Sequence, residues 1–76
     1  MQVIKVTSYD DSEEDCKRDT YVTIVDGKEY LLSPCALGSY WTYLEIIESA
    51  QKHFGENIEL DLTAVPWLQT EKPNFA

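Results

Sequence analysis

Residues 20–32 read TYVTIVDGKEYLL. Two β-prone runs flank Asp26-Gly27, the dipeptide favoured in a two-residue type I′ turn, where both central residues need positive φ. Glycine adopts that conformation without steric penalty and aspartate tolerates it. A turn there sets a register in which Val25 faces Lys28, Ile24 faces Glu29, Thr23 faces Tyr30, Val22 faces Leu31 and Tyr21 faces Leu32. One face then carries Val22, Ile24 and Leu31. The other carries Tyr21, Thr23, Val25, Lys28, Tyr30 and Leu32. The smaller aliphatic face is assigned to the core and the tyrosine-rich face to the surface. A slip of one residue exchanges the two.

Upstream, MQVIKVTSY alternates apolar and polar residues and predicts a strand over residues 2–9. Between the two segments lies DDSEEDCKRD, residues 10–19, with no apolar period and six acids. It reads as a solvated loop. Downstream, Ser33-Pro34 offers a helix start, with Ser as N-cap and Pro at the first position, and Gly38-Ser39 offers a second. The helix runs to Phe54 on a stripe of Tyr40, Tyr43, Leu44, Ile47, Ala50 and Phe54. Lys52 and His53 complement the dipole of its last turn, and Gly55 closes it. Residues 57–63, NIELDLT, alternate again, with Ile58, Leu60 and Leu62 on the apolar side. The tail, residues 64–76, is interrupted by Pro66 and Pro73 and is expected to fold back in a short turn.

The order is β-β-β-α-β, an α+β domain with a four-stranded mixed sheet and one helix packed on one face. A three-stranded meander precedes the helix, which crosses over to a fourth strand beside the first. With 76 residues and no linker or repeat, the chain is expected to form one small domain. A domain this size buries about 60% of the surface of its unfolded chain, so its core is thin.

Charge narrows the function. Fourteen Asp and Glu against six Lys and Arg leave −8, which argues against direct nucleic-acid or anionic-membrane binding. Residues 10–19 supply half of it, so the acidity is concentrated rather than spread. A hydrophobic fraction of 43% is too high for a disordered acidic tail. No segment reads as a signal peptide or a membrane span, and two cysteines are too few for a disulfide scaffold. The expectation is a cytoplasmic protein with reduced thiols. A Cys16–Cys35 bridge is the alternative for a secreted one.

No catalytic constellation emerges. Asp11, Glu13 and Asp15 alternate like the first calcium ligands of a binding loop. Cys16 then stands where the turn needs glycine, and Val22 where it needs a bidentate Glu. No metal or cofactor is expected. A helix begun at Pro34 would hold Cys35 and His53 about 27 Å apart, too far for a nucleophile and its base. Glu45 and Glu48 share a helical face, as solvated acids commonly do. The glycine-rich, zinc and nucleophile-elbow motifs are absent, so the chain is not expected to be an enzyme.

Nine aromatics in so small a chain exceed what its core can bury easily. Tyr and Trp are enriched at interface hot spots. Trp41 lies off the helix stripe, and Tyr21 and Tyr30 lie on the face assigned to the surface. With Asp10, Asp11, Glu13, Glu14 and Asp15 they form the expected partner-binding set. The partner is expected to be a basic, nucleic-acid-handling protein, because carboxylates can stand where a nucleic acid places phosphates. Small phage-encoded inhibitors, anti-CRISPR proteins and DNA mimics among them, share this size and charge. The alternative is a homodimer assembled through an open sheet face or edge strand.

Overall fold

The Asp26-Gly27 turn forms as its dipeptide requires. Asp26 has φ 53° and Gly27 φ 79°, both left-handed. It joins β3 (Asp19–Val25) to β4 (Lys28–Ala36). The computed structural model describes residues 1–10 and 18–74. From Val25↔Lys28 through Val22↔Leu31 the register is the expected one, and then it departs. Tyr21 pairs with Ser33 rather than Leu32, and Asp19 with Ala36. Each shift adds one residue to β4, as a β-bulge does. Cys35, at φ 45°, sits in the second. Pro34 is accommodated because β4 is an edge strand, where a missing N–H need not cost a ladder bond. The strand therefore continues through Ser33-Pro34, and no helix starts there.

The hairpin faces are reversed from expectation. Tyr21 and Thr23 are fully buried and Leu32 nearly so. Ile24 is 64% exposed and Leu31 51% exposed. Val22, on their face, is nonetheless covered, with Thr7 and Leu31 as its cross-strand neighbours. The physical reason is area. One helix can cover one face, and each aromatic buries about 150–250 Å². Placing Tyr21, Tyr30 and Leu32 beneath it removes more apolar surface from water than Val22, Ile24 and Leu31 would.

The first strand is split. β1 (Gln2–Lys5) pairs in parallel with β5 (Ile58–Asp61), and β2 (Thr7–Asp10) pairs antiparallel with β3. Val6 lies at the break, fully buried, its N–H donating to the Asp61 carbonyl at 3.0 Å. The single four-stranded sheet resolves into a parallel pair and a three-stranded antiparallel sheet. The neighbour relations survive, with the last strand beside the first, and the α+β class stands.

Helix α1 (Tyr40–Phe54) uses the second of the two starts. Ser39 is its N-cap, and its hydroxyl accepts from the Thr42 N–H at 3.3 Å. The buried stripe is Thr42, Ile46 and Ala50, flanked by half-buried Tyr43 and Phe54. Leu44, placed on the stripe by sequence, is exposed. The buried face is thus rotated toward Ile46, because the helix packs mainly over β4 and only its flank reaches β5.

Beyond β5 the chain turns twice, through Val65 N–H to Leu62 C=O at 3.0 Å and Leu68 N–H to Val65 C=O at 3.1 Å. Val65 and Leu68 join Val6, Tyr21, Leu32, Ile46 and Ala50 in the core. The Trp67 indole N–H donates to the Tyr21 hydroxyl at 2.9 Å. Gln69 N–H bonds the Gly38 carbonyl at 3.0 Å. Two hydroxyls on the inner face, Thr23 Oγ1 and Ser33 Oγ, are buried without a hydrogen-bond partner among the described residues.

Candidate protein-interaction surface

Strand alternation builds the outer sheet face. Residues 20, 22 and 24 of β3, 29 and 31 of β4, and 7 and 9 of β2 point away from α1. Ile24, Leu31 and Tyr9 are its exposed large side chains. Ile24 and Leu31 are diagonal neighbours across β3 and β4. Glu29, directly opposite Ile24, is exposed and brings a carboxylate against this apolar surface.

The described members of the expected partner-binding set, Asp10, Tyr21, Tyr30 and Trp41, do not share one surface. Asp10 is exposed at the end of β2, paired in register with Asp19. Asp11, Glu13, Glu14 and Asp15 lie outside the described residues, as does the calcium-like spacing they form. Tyr21 requires correction: it is fully buried and offers no surface to a partner. Tyr30 is half-buried on the inner face. Its ring stands edge-on to Phe54 at 4.8 Å and tilted to His53 at 5.2 Å, with Lys28 Nζ 5.3 Å from its centroid. Those contacts make it a structural residue that closes the far end of α1. Trp41 matches its expectation of exposure, at 61%, with its ring edge-on to Tyr40.

The cysteine expectation is also corrected. Cys35 is disulfide-bonded and not a reduced thiol. The chain's other cysteine, Cys16, lies outside the described residues. Cys35 N–H donates to Thr20 Oγ1 at 3.3 Å, which ties the bulge to β3. Among the described residues, no three His, Cys, Asp or Glu side chains gather as metal ligands. No helix among the described residues is long and apolar enough to cross a membrane.

A second feature lies at the other sheet. A cleft of about 380 Å³ runs between α1 and β5, lined by Tyr43, Ile47 and Gln51 on the helix and by Ile58, Glu59, Leu60 and Leu62 on the strand side. Sequence reasoning read these apolar residues as core, and they are only half-buried. Next to it, the Asp61 carboxyl is held below the ordinary aspartate range. The cause is mainly the Thr63 hydroxyl, which donates at 2.7 Å, then the Thr63 N–H at 3.1 Å, with a smaller pull from Lys5.

Sequence reasoning missed Ile24 and Leu31 as surface residues. The signal was available in side-chain size: the tyrosine face of the hairpin was the larger apolar payload. Compared with known proteins, the chain matches no family model, no curated protein and no solved structure.

Proposed function

We propose that this chain is a non-enzymatic binding protein that docks on a basic protein partner and inhibits or regulates it. The observation supporting this most directly is the bare outer face, where Ile24 and Leu31 are more than half exposed in a domain of net charge −8. Scattered apolar residues need no explanation, but two diagonal neighbours on a sheet face that also carries Tyr9 give an apolar surface that an interface can bury. Surrounding carboxylates steer a positively charged partner to it.

A partner that handles nucleic acid, in the manner of phage-type inhibitors and DNA mimics, follows from size and charge alone. It goes with a cytoplasmic location. The disulfide at Cys35 pulls the other way, because disulfides persist where the surroundings oxidise. Thiol labelling of the protein taken directly from its native cell decides between them. A blocked Cys35 thiol supports a secreted basic partner, and a free one supports the cytoplasmic reading.

The function is tested by capturing the partner from the native source and measuring association against salt. We expect the on-rate to fall at least about tenfold between low and high salt. Ile24→Ser with Leu31→Ser should leave the melting temperature nearly unchanged and speed dissociation. Salt-independent association, or an unaltered off-rate in that variant, would sink the reading.

A further inference from the structure

The edge of β5 that faces away from β1 is a sheet edge among the described residues. In the ladder, the Asn57 carbonyl accepts from Gln2 N–H at 3.2 Å and the Asp61 carbonyl from Val6 N–H at 3.0 Å. Backbone groups alternate along a strand. The odd-numbered residues of β5 therefore face β1, and the N–H and C=O of Ile58 and Leu60 face the opposite edge. Among the described residues no strand pairs there.

The cleft between α1 and β5 lies on this strand. It is lined by Ile58, Leu60 and Leu62, which point toward the helix side, and also by Glu59, which points to the other side. The cleft therefore follows β5 from Ile58 to Leu60. Its far wall is Tyr43 and Ile47 of α1. A helix beside an open strand edge is a geometry in which extended peptides bind by strand addition: main-chain bonds supply affinity and alternate side chains supply specificity.

Charge selects the occupant. A second copy of this chain could add its own β5 antiparallel, with apolar sides matched. Every such register that pairs more than one β5 residue with the second copy's β5 sets Glu59 or Asp61 opposite its Glu59 or Asp61. Like charges directly opposite are destabilising, and β5, IELD, has no basic residue to relieve them. Asp61 already has Thr63 and is in register with Lys5. The Glu59 carboxylate has no hydrogen bond or ion pair among the described residues. It stands opposite Val3, which is exposed.

We infer that the α1–β5 cleft is a docking groove for an extended segment of the basic partner, added as a strand to β5. Its apolar side chains alternate toward Tyr43, Ile47 and Leu60, and its lysines or arginines point toward Glu59. This rests on the proposed function and names the mode of engagement.

The probe is a short peptide alternating lysine and valine, added to the oxidised, isotope-labelled protein and followed by amide NMR. Binding should shift Ile58, Leu60, Tyr43 and Ile47 and slow exchange of the Ile58 and Leu60 amides. N-methylation at alternate residues of the peptide should weaken binding about tenfold for each ladder bond removed. A glutamate–valine peptide should not bind. Glu59→Lys, at an exposed position, should weaken the basic peptide severalfold and leave the melting temperature unchanged. The inference is overturned if the peptide fails to bind, shifts residues away from β5 and α1, or binds equally well when N-methylated. Concentration-dependent protection of the Ile58 and Leu60 amides without peptide would overturn it too, by assigning the edge to a second copy. If the peptide fails while the captured partner still binds in a salt-dependent way, the groove is refuted and the proposed function stands. If the peptide binds in the groove and no basic protein does, the reverse holds.

Discussion

Replacing Gly38 with alanine places a methyl group where the Trp67 ring already sits. An added Cβ would lie 2.8 Å from Trp67 Cδ1 and 3.4 Å from both Trp67 Nε1 and the Tyr21 hydroxyl. The near atom belongs to a rigid indole, not to the end of a flexible chain. That indole is held by its bond to Tyr21 and by the Gln69–Gly38 backbone bond beside it. Gly38 has no positive φ, so alanine meets no backbone strain and should gain about 0.4–1 kcal/mol by restricting the unfolded chain. Against this stand an overpacking cost of about 1–3 kcal/mol and about 1 kcal/mol for the displaced hydrogen bond. The net expectation is a loss of about 2 kcal/mol, or roughly 8–16 °C in melting temperature for a domain of this size. Urea unfolding followed by tryptophan fluorescence measures it. A double-mutant cycle with Tyr21→Phe identifies the cause. With the hydroxyl already gone, Gly38→Ala should cost about 1 kcal/mol less. A Gly38→Ala protein as stable as the parent, or strict additivity with Tyr21→Phe, would refute the reasoning.

Three further outcomes are expected. Cys35 is disulfide-bonded and the chain has one other cysteine, so a bond within the chain closes a loop of about 20 residues. Reduction should then cost about 3 kcal/mol in a reversible denaturation experiment; an unchanged midpoint, or a covalent dimer on a non-reducing gel, would contradict this. Thr23→Val replaces a buried, unpartnered hydroxyl with a methyl group of the same shape and should stabilise by about 1 kcal/mol in the same experiment; a loss of stability would show that the hydroxyl has a partner. Thr63→Ala should raise the Asp61 pKa toward the ordinary aspartate value, read by NMR titration of its carboxyl carbon. Because the folded value is depressed, the Asp61–Thr63 contact supports the fold above the unfolded pKa. That support is lost as pH falls through the folded one; a titration unchanged by the substitution would remove Thr63 as the cause.

Local chemistry was the legible part of the sequence. Asp26-Gly27 set the turn and four pairs of register, Ser39 set a helix start, and the alternation of Ile58, Leu60 and Leu62 set the last strand. Each depends on residues within a few positions of one another. What escaped depends on distant residues. The face of the hairpin was decided by α1 and by Trp67, 46 positions beyond Tyr21. The bulges at Ser33 and Cys35 change the parity of β4, and nothing in the LLSPCA run requires them. The break at Val6 exists because the first strand has two partners, one of them β5. The candidate surface was misread for the same reason. With the hairpin reversed, Tyr21 moves to the core, and Ile24 and Leu31 take its place outside.

The ladder between β1 and β5 also orders events in time. The β3–β4 hairpin closes through a two-residue turn, and such hairpins form in microseconds. Gln2 cannot meet Ile58 until the hairpin, the helix and the strand after it have all left the ribosome. Closing so long a loop costs entropy that only the completed core repays. The parallel ladder is therefore expected to be the last of the strand pairings gained during synthesis. Until it closes, β5 has two open edges rather than one, and the chain is most exposed to unwanted strand pairing during that interval.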